Sequence, residues 1–129
     1  MKIDMSDALI RQSPNSVIGQ VPVEQLRNPV LINREGENTA LHDLQDLLEW
    51  MTRIAPPTGP LTRKPFHMNH IEPVQLVASD AWKAAHPGID GRRPIQCRYQ
   101  GTLNILLATA VEYGHTTRAG DLLDMRADP

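Results

Sequence analysis

An α+β fold is predicted by three features of the sequence. Apolar residues recur at helical spacing over residues 38–54 and again over 99–113. Residues 20–37 and 60–78 are instead broken by prolines and carry β-branched and large apolar residues, which favours short extended segments. The polar run Asn33-Arg34-Glu35-Gly36-Glu37 has the composition of a turn and is suited to capping a short hairpin.

Taken in order, residues 1–19 are polar and are expected to be a flexible N-terminal segment, with a short helix over residues 6–11 capped by Ser6. Val21, Val23, Val30, Leu31 and Ile32 then mark extended structure, interrupted at Pro22 and Pro29. Asn38 or Thr39 is suited to cap the helix over 38–54, with Asp43 near its first turn. Leu41, Leu44, Leu47, Leu48, Met51 and Ile54 form its apolar face, and His42, Gln45, Asp46, Glu49 and Arg53 the polar one. The run Ala55-Pro56-Pro57-Thr58-Gly59-Pro60 ends it. Leu61, Phe66, Met68, Ile71, Val74 and Leu76 are expected to anchor the second extended stretch. A short helix capped by Ser79, a loop over 87–98, a helix over 99–113 stopped by Gly114 and a last short helix over 118–126 complete the chain.

Composition narrows the function. The 129 residues carry 13 Lys+Arg and 15 Asp+Glu, a formal charge of −2 with no basic run, which argues against an electrostatic nucleic-acid partner. No stretch approaches the ~20 apolar residues that span a bilayer, and residues 1–20 lack the apolar block of a secretory signal. A single cysteine, Cys97, excludes an intrachain disulfide framework and the multi-cysteine zinc modules. His67-x-x-His70, with Glu72 nearby, is the one close pair of metal-type ligands; it sits between prolines without further ligands at a characteristic spacing and reads as two loop histidines. Cys97 stands beside Arg98 but in no nucleophile motif, and reads as a small buried residue. No metal or cofactor is expected.

What remains is an arrangement of loops around a helix. Asn28-Pro29-Val30-Leu31 precedes the polar turn, the helix ends at Trp50-Met51, and a proline-rich loop leads to Pro60-Leu61-Thr62-Arg63-Lys64-Pro65-Phe66. Leu31, Trp50, Pro60 and Leu61 are expected to line a shallow apolar groove, with the Arg63 guanidinium offering a fork of donors beside it.

Over residues 24–78 this order resembles the U-box, the metal-free relative of the zinc RING, with Ile71-Glu72-Pro73-Val74 as its closing segment. The second loop is similar to that of the NleG family of bacterial type III secreted effectors. The resemblance implies a U-box core of a small hairpin and central helix over residues 20–78, followed by a helical C-terminal extension over 79–129. It implies a ubiquitin ligase, secreted by a type III system into the host cytoplasm, whose partners are a ubiquitin-charged conjugating enzyme and a protein substrate. The conjugating-enzyme contacts map onto Leu31, Ile32, Trp50, Pro60 and Leu61. Arg63 takes the place of the basic residue that bridges ubiquitin and its carrier. Asn28, Asn33, Thr39, Asp43, Thr62, Asn69 and Glu72 are candidates for the polar contacts that replace zinc. A non-catalytic interaction module is the alternative, with the apolar stripe of residues 99–113 facing a partner instead of the core.

Overall fold

Apolar runs of three or four residues between prolines and turns make short strands, and the longer periodic runs make the helices. The computed structural model describes residues 2–54, 56–85 and 99–125. In chain order the elements are β1 (Lys2–Asp4), α1 (Ala8–Gln12), a 3-10 turn (Val23–Gln25), β2 (Pro29–Ile32), β3 (His42–Asp43), α2 (Leu44–Arg53), a 3-10 turn (Met68–His70), β4 (Ile71–Pro73), β5 (Gln75–Val77), α3 (Asp80–Ala85), α4 (Tyr99–Glu112) and α5 (Thr116–Asp124). The architecture is α+β. No described helix is long and apolar enough to cross a membrane.

The strands form two small sheets. β2 is the centre of a three-stranded antiparallel sheet in the order β3-β2-β4, with Val30 opposite both His42 and Pro73. The polar turn after β2 does return the chain in a hairpin, as its composition suggests. One residue beyond β4 the chain changes partner: Val74 still donates its amide to the Pro29 carbonyl (3.0 Å), whereas β5 pairs in parallel with β1.

Residues 71–77 thus run along both sheets, and the side chains of β2 are shared out in the same way. Val30 and Ile32 enter one core with Leu44, Leu47, Phe66, Met68 and Ile71. Leu31, on the opposite face of the strand, enters a second core with Ile3, Met5, Ile10, Leu41, Val74, Leu76 and Trp82.

Three sequence expectations are corrected here. The N-terminal segment is built into the fold: β1 pairs with β5, and Ile3, Met5 and Ile10 are buried. The Asp4 carboxylate also accepts the Ser79 amide at 2.8 Å, so the start of α3 is tied to β1. Its strand partner lies more than seventy residues away, where no local pattern can register it. Asp7, not Ser6, caps α1, its carboxylate accepting the Leu9 amide.

The second correction is to the central helix, which begins at Leu44. Asp43 caps it by accepting the Gln45 amide (3.2 Å), and its other oxygen accepts the Asn28 amide across the hairpin (3.2 Å). Pairing with β2 therefore competes successfully for residues 42–43. Leu41 is buried off the helix, and His42 is fully buried in β3 instead of facing water from a helix.

Third, Leu61 is no core anchor, being 44% exposed; Phe66, Met68, Ile71, Val74 and Leu76 are buried as expected. Residues 99–125, the expected helical extension, are helical and pack into the fold. Leu103, Leu106, Leu107 and Ala110 of α4 and Leu122 of α5 lie in the same core as Val30 and Ile32. Gly114 ends the α4 run with a positive φ of 73°, as its position suggested. Ser79 serves the N-terminus of α3, its hydroxyl accepting the Trp82 amide at 3.2 Å. Cys97 and the loop over 87–98 lie outside the described residues.

Candidate functional site

The site is built where two loops meet over a buried carboxylate. The first turn leaves β2 with the Glu37 amide donating to the Arg34 carbonyl (3.0 Å), and Gly36 adopts a φ of 84° that a side chain would strain. This conformation turns Glu37 inward, where it is only 1% exposed. Its carboxylate accepts the amides of Leu61 (3.3 Å) and Thr62 (2.6 Å) and the Thr62 hydroxyl (2.6 Å). Side-chain–backbone bonds thus join segments 24 and 25 residues apart. Hydrogen bonds to a carboxylate stabilise by roughly 1.5–3 kcal/mol each, about twice a neutral one.

The approach requires two glycines, one from each loop. A Cβ at Gly59 would collide with the Glu37 carboxylate, and one at Gly36 would come within 2.6 Å of the Thr62 methyl. Both collisions follow from the same close packing of loop on loop.

The second loop is also closed upon itself. Thr58 and Pro65 form an antiparallel bridge, the Gly59 amide donates to the Lys64 carbonyl (2.9 Å), and the Arg63 amide donates to the Gly59 carbonyl (2.8 Å). From the helix side, the Trp50 indole donates to the Thr58 carbonyl at 2.8 Å. At the tip, Arg63 sits in the left-handed region with φ 59°, a conformation that costs an L-residue about 1 kcal/mol. Arg63 and Leu61 face water, while Pro60 and Trp50 are half-buried.

The structure therefore brings Trp50, Pro60, Leu61 and Arg63 onto one braced loop and its adjoining helix. Leu31 and Ile32 do not join them. They are 6% and 0% exposed, one in each core, because a central strand buried on both faces has no surface to offer. The expected groove loses its Leu31 wall for that reason.

Several candidate polar braces are engaged. Asp43 joins the hairpin to α2, Thr62 binds Glu37, and the Asn28 side-chain oxygen accepts the Thr102 hydroxyl of α4 (3.2 Å). Glu72 lies 3.9 Å from the buried Arg118, whereas at Asn33 the bond shown is that of the backbone amide, which donates to the His70 carbonyl (2.6 Å). Sequence reasoning missed Glu37 itself. A glutamate after Gly in a turn is ordinarily solvated, and nothing local marks it as the acceptor for a loop two dozen residues on.

Next to the site, His67 and His70 cap one another's turn. The His67 Nδ1 accepts the Asn69 amide (3.1 Å), and the His70 Nδ1 accepts the His67 amide (2.9 Å). An accepting Nδ1 places the proton of the neutral ring on Nε2. His115 packs edge-on against His67, with centroids 4.7 Å apart. Burial, then the neighbouring His115 and His70, hold the His67 pKa below the usual histidine value. Among the described residues no group of three His, Cys, Asp or Glu is placed to hold a metal ion.

His42 lies in β3, opposite Val30. It is fully buried, and among the described residues neither ring nitrogen has a hydrogen-bond partner. Burial pushes its pKa down to about 4, against a smaller opposing pull from Glu37. Comparison of the chain with models of protein families, with curated proteins and with solved structures yielded no match.

Proposed function

We propose that the chain is a U-box-type ubiquitin ligase. It binds a ubiquitin-conjugating enzyme through the second loop and the end of α2, and promotes transfer of ubiquitin to a substrate lysine without a covalent intermediate of its own. The observation that carries this reading is the hydrogen-bonded clasp of Glu37 on Leu61 and Thr62, which fixes the loop that carries half-buried Pro60 and exposed Leu61 and Arg63. The similarity of that loop to the NleG effectors extends the proposal to a bacterial effector acting in a host cell.

The chemistry asks little of the ligase. The carrier's thioester already holds the reactive carbonyl; a lysine amine attacks it, the carrier's thiolate leaves, and the amine proton passes to solvent. What the ligase contributes is restriction of a flexibly tethered ubiquitin to an attack-ready pose. Arginine suits that role because its planar guanidinium donates to two carbonyls at once. A rigid tip lowers the ordering cost of presenting it. Trp50, Pro60 and Leu61 supply the apolar contact; Leu31 and Ile32 are left out of it because they are core.

The alternative, a non-catalytic module, has the stripe of residues 99–113 facing a partner; Leu103, Leu106, Leu107 and Ala110 of that stripe are buried, whereas Val111 and Tyr113 are exposed. The test is autoubiquitination and discharge of charged carrier enzymes across a broad panel. Arg63→Ala is expected to lower discharge at least ten-fold with unchanged folding, and Pro60→Ala to weaken carrier binding. Absence of activity with every carrier overturns the ligase reading, and full activity of both variants overturns the residue assignment.

A further inference from the structure

A cleft of about 420 Å³ opens where the end of α2, the base of the second loop and the end of α4 meet. Leu61 and Arg63, at the tip of that loop, are not among its walls. Its volume falls within the range of small-molecule sites, roughly 300–1,000 Å³. Phe66, Met68, Leu48 and Met51 form the apolar side, and all four belong to or pack on the core of Val30 and Ile32. The Phe66 amide donates to the Pro57 carbonyl (3.2 Å), which ties this wall to the base of the loop. Two thioethers beside a phenyl ring suit an aromatic guest, because a methionine adapts its shape and its sulfur attracts ring edges.

The polar side decides the charge of that guest. Among the described residues that line the cleft there is no lysine or arginine, and Glu112 is the one carboxylate. Glu112 has no ion-pair partner among the described residues. The Thr52 hydroxyl already donates to the Glu49 carbonyl (2.7 Å) and the Thr109 hydroxyl to the Ile105 carbonyl (2.8 Å), so toward a guest both can only accept. The rings of His67, His115 and Tyr113 follow one another, with centroids 4.7 Å and 6.5 Å apart. The face of a tyrosine attracts a cation, and the lowered pKa of His67 keeps that ring neutral at pH 7.5. Arg53, in the last turn of α2, is engaged with Glu49 (2.5 Å). The negative end of the α2 dipole lies at this place, whereas α5 begins just after His115 and brings a positive end, so the carboxylate and the rings set the sign.

We propose that this cleft binds a small organic cation: an aromatic body against the methionines and Phe66, joined by a short chain to an ammonium group held by Glu112, Tyr113 and the two threonine hydroxyls. An anion would find no fully charged donor here and one carboxylate opposed to it. The inference is independent of what the loop tip binds.

The experiment is an NMR titration of the full chain at pH 7.5 with phenethylammonium, 2-phenylethanol and 3-phenylpropanoate, three probes of nearly one shape and different charge. Phenethylammonium is expected to bind with a dissociation constant of roughly 1 mM and to shift the Met51 and Met68 methyl groups and the signals of His67 and Tyr113. The alcohol is expected to bind about five-fold more weakly and the carboxylate about ten-fold or more. Glu112→Gln, an exposed position, is expected to weaken the ammonium about three-fold and leave the alcohol unchanged. Thr52→Trp, also exposed, is expected to fill the cleft and remove binding of all three. The proposal is overturned by shifts that map elsewhere or do not occur, by a carboxylate that binds as well as the ammonium, or by full ammonium affinity in either variant. Tighter binding of N-acetyl-lysine amide than of phenethylammonium overturns it in favour of a peptide, and shifts at the same residues on diluting the free chain overturn it in favour of a second copy.

Discussion

The two loops that meet at Glu37 are built by opposite means. The first, over residues 33–39, buries its informative side chain and leaves Asn33, Arg34 and Glu35 in water. The second, over 57–66, exposes Leu61 and Arg63 and hands its backbone amides to the first. One loop is held by its own turn and glycine; the other takes its shape from a carboxylate, an indole and a strained residue. The difference teaches that the presenting surface and the residues that shape it lie apart in the sequence. Damage to the second loop is therefore best inflicted from the first.

Glu37→Ala breaks the contrast most completely. It removes the acceptor for three donors and leaves the Leu61 and Thr62 amides without it. A loss of about 3–5 kcal/mol is expected in urea unfolding, with the protection of both amides abolished. Acid is the next largest effect. The folded value of His42, about 4, lies below the ordinary 6.5, so the unfolded chain takes the proton first. Its contribution is complete above pH 6.5 and is lost as pH falls toward 4, roughly 3 kcal/mol in all. Unfolding followed against pH in His42→Leu should lack that segment of the curve.

Gly59→Ala tests the contact from the other side. Its new methyl meets the Glu37 carboxylate, and a destabilisation of about 1–3 kcal/mol is expected, with Glu37→Ala/Gly59→Ala less than additive. Trp50→Phe keeps the ring but loses the donor to Thr58; about 1 kcal/mol is expected, visible in the melting temperature. Arg63→Gly is smallest and of opposite sign. It relieves the positive φ at the entropic cost of a glycine, giving an expected gain of a few tenths of a kcal/mol while the proposed ubiquitin discharge is expected to be lost. A variant more stable yet inactive would separate strain from function at that residue.

What was legible beforehand follows the range of the interaction. The stripe Leu103, Leu106, Leu107 and Ala110 could be read directly, because a helix brings near neighbours onto one face; Val111, read onto the same stripe, is exposed instead. The turn at Gly36 and the stop at Gly114 were readable too, since each needs only its own backbone. His42 was misplaced because a helical period extended backward from Leu44 puts it on the polar side; the strand pairing with Val30 overrides that period. The loop from Pro60 was visible as a motif, whereas Leu31 was given a surface it lacks, since a run such as Val30-Leu31-Ile32 is equally compatible with one buried face or two. Glu37 was invisible, for its partners are set by tertiary approach alone.

The parallel pairing of β1 with β5 has a consequence for the birth of the molecule. Lys2 is made long before its partner Gln75, and Leu103 to Leu122 follow later still. Ile10, Val23 and Leu26 of the same core follow Ile3 and Met5 closely, but they give β1 no strand partner. On the ribosome β1 therefore waits unpaired, and the loop-closure entropy of that late joining makes it a slow step of folding. The hairpin of β2 and β3 forms over about a dozen residues and can be ready long before.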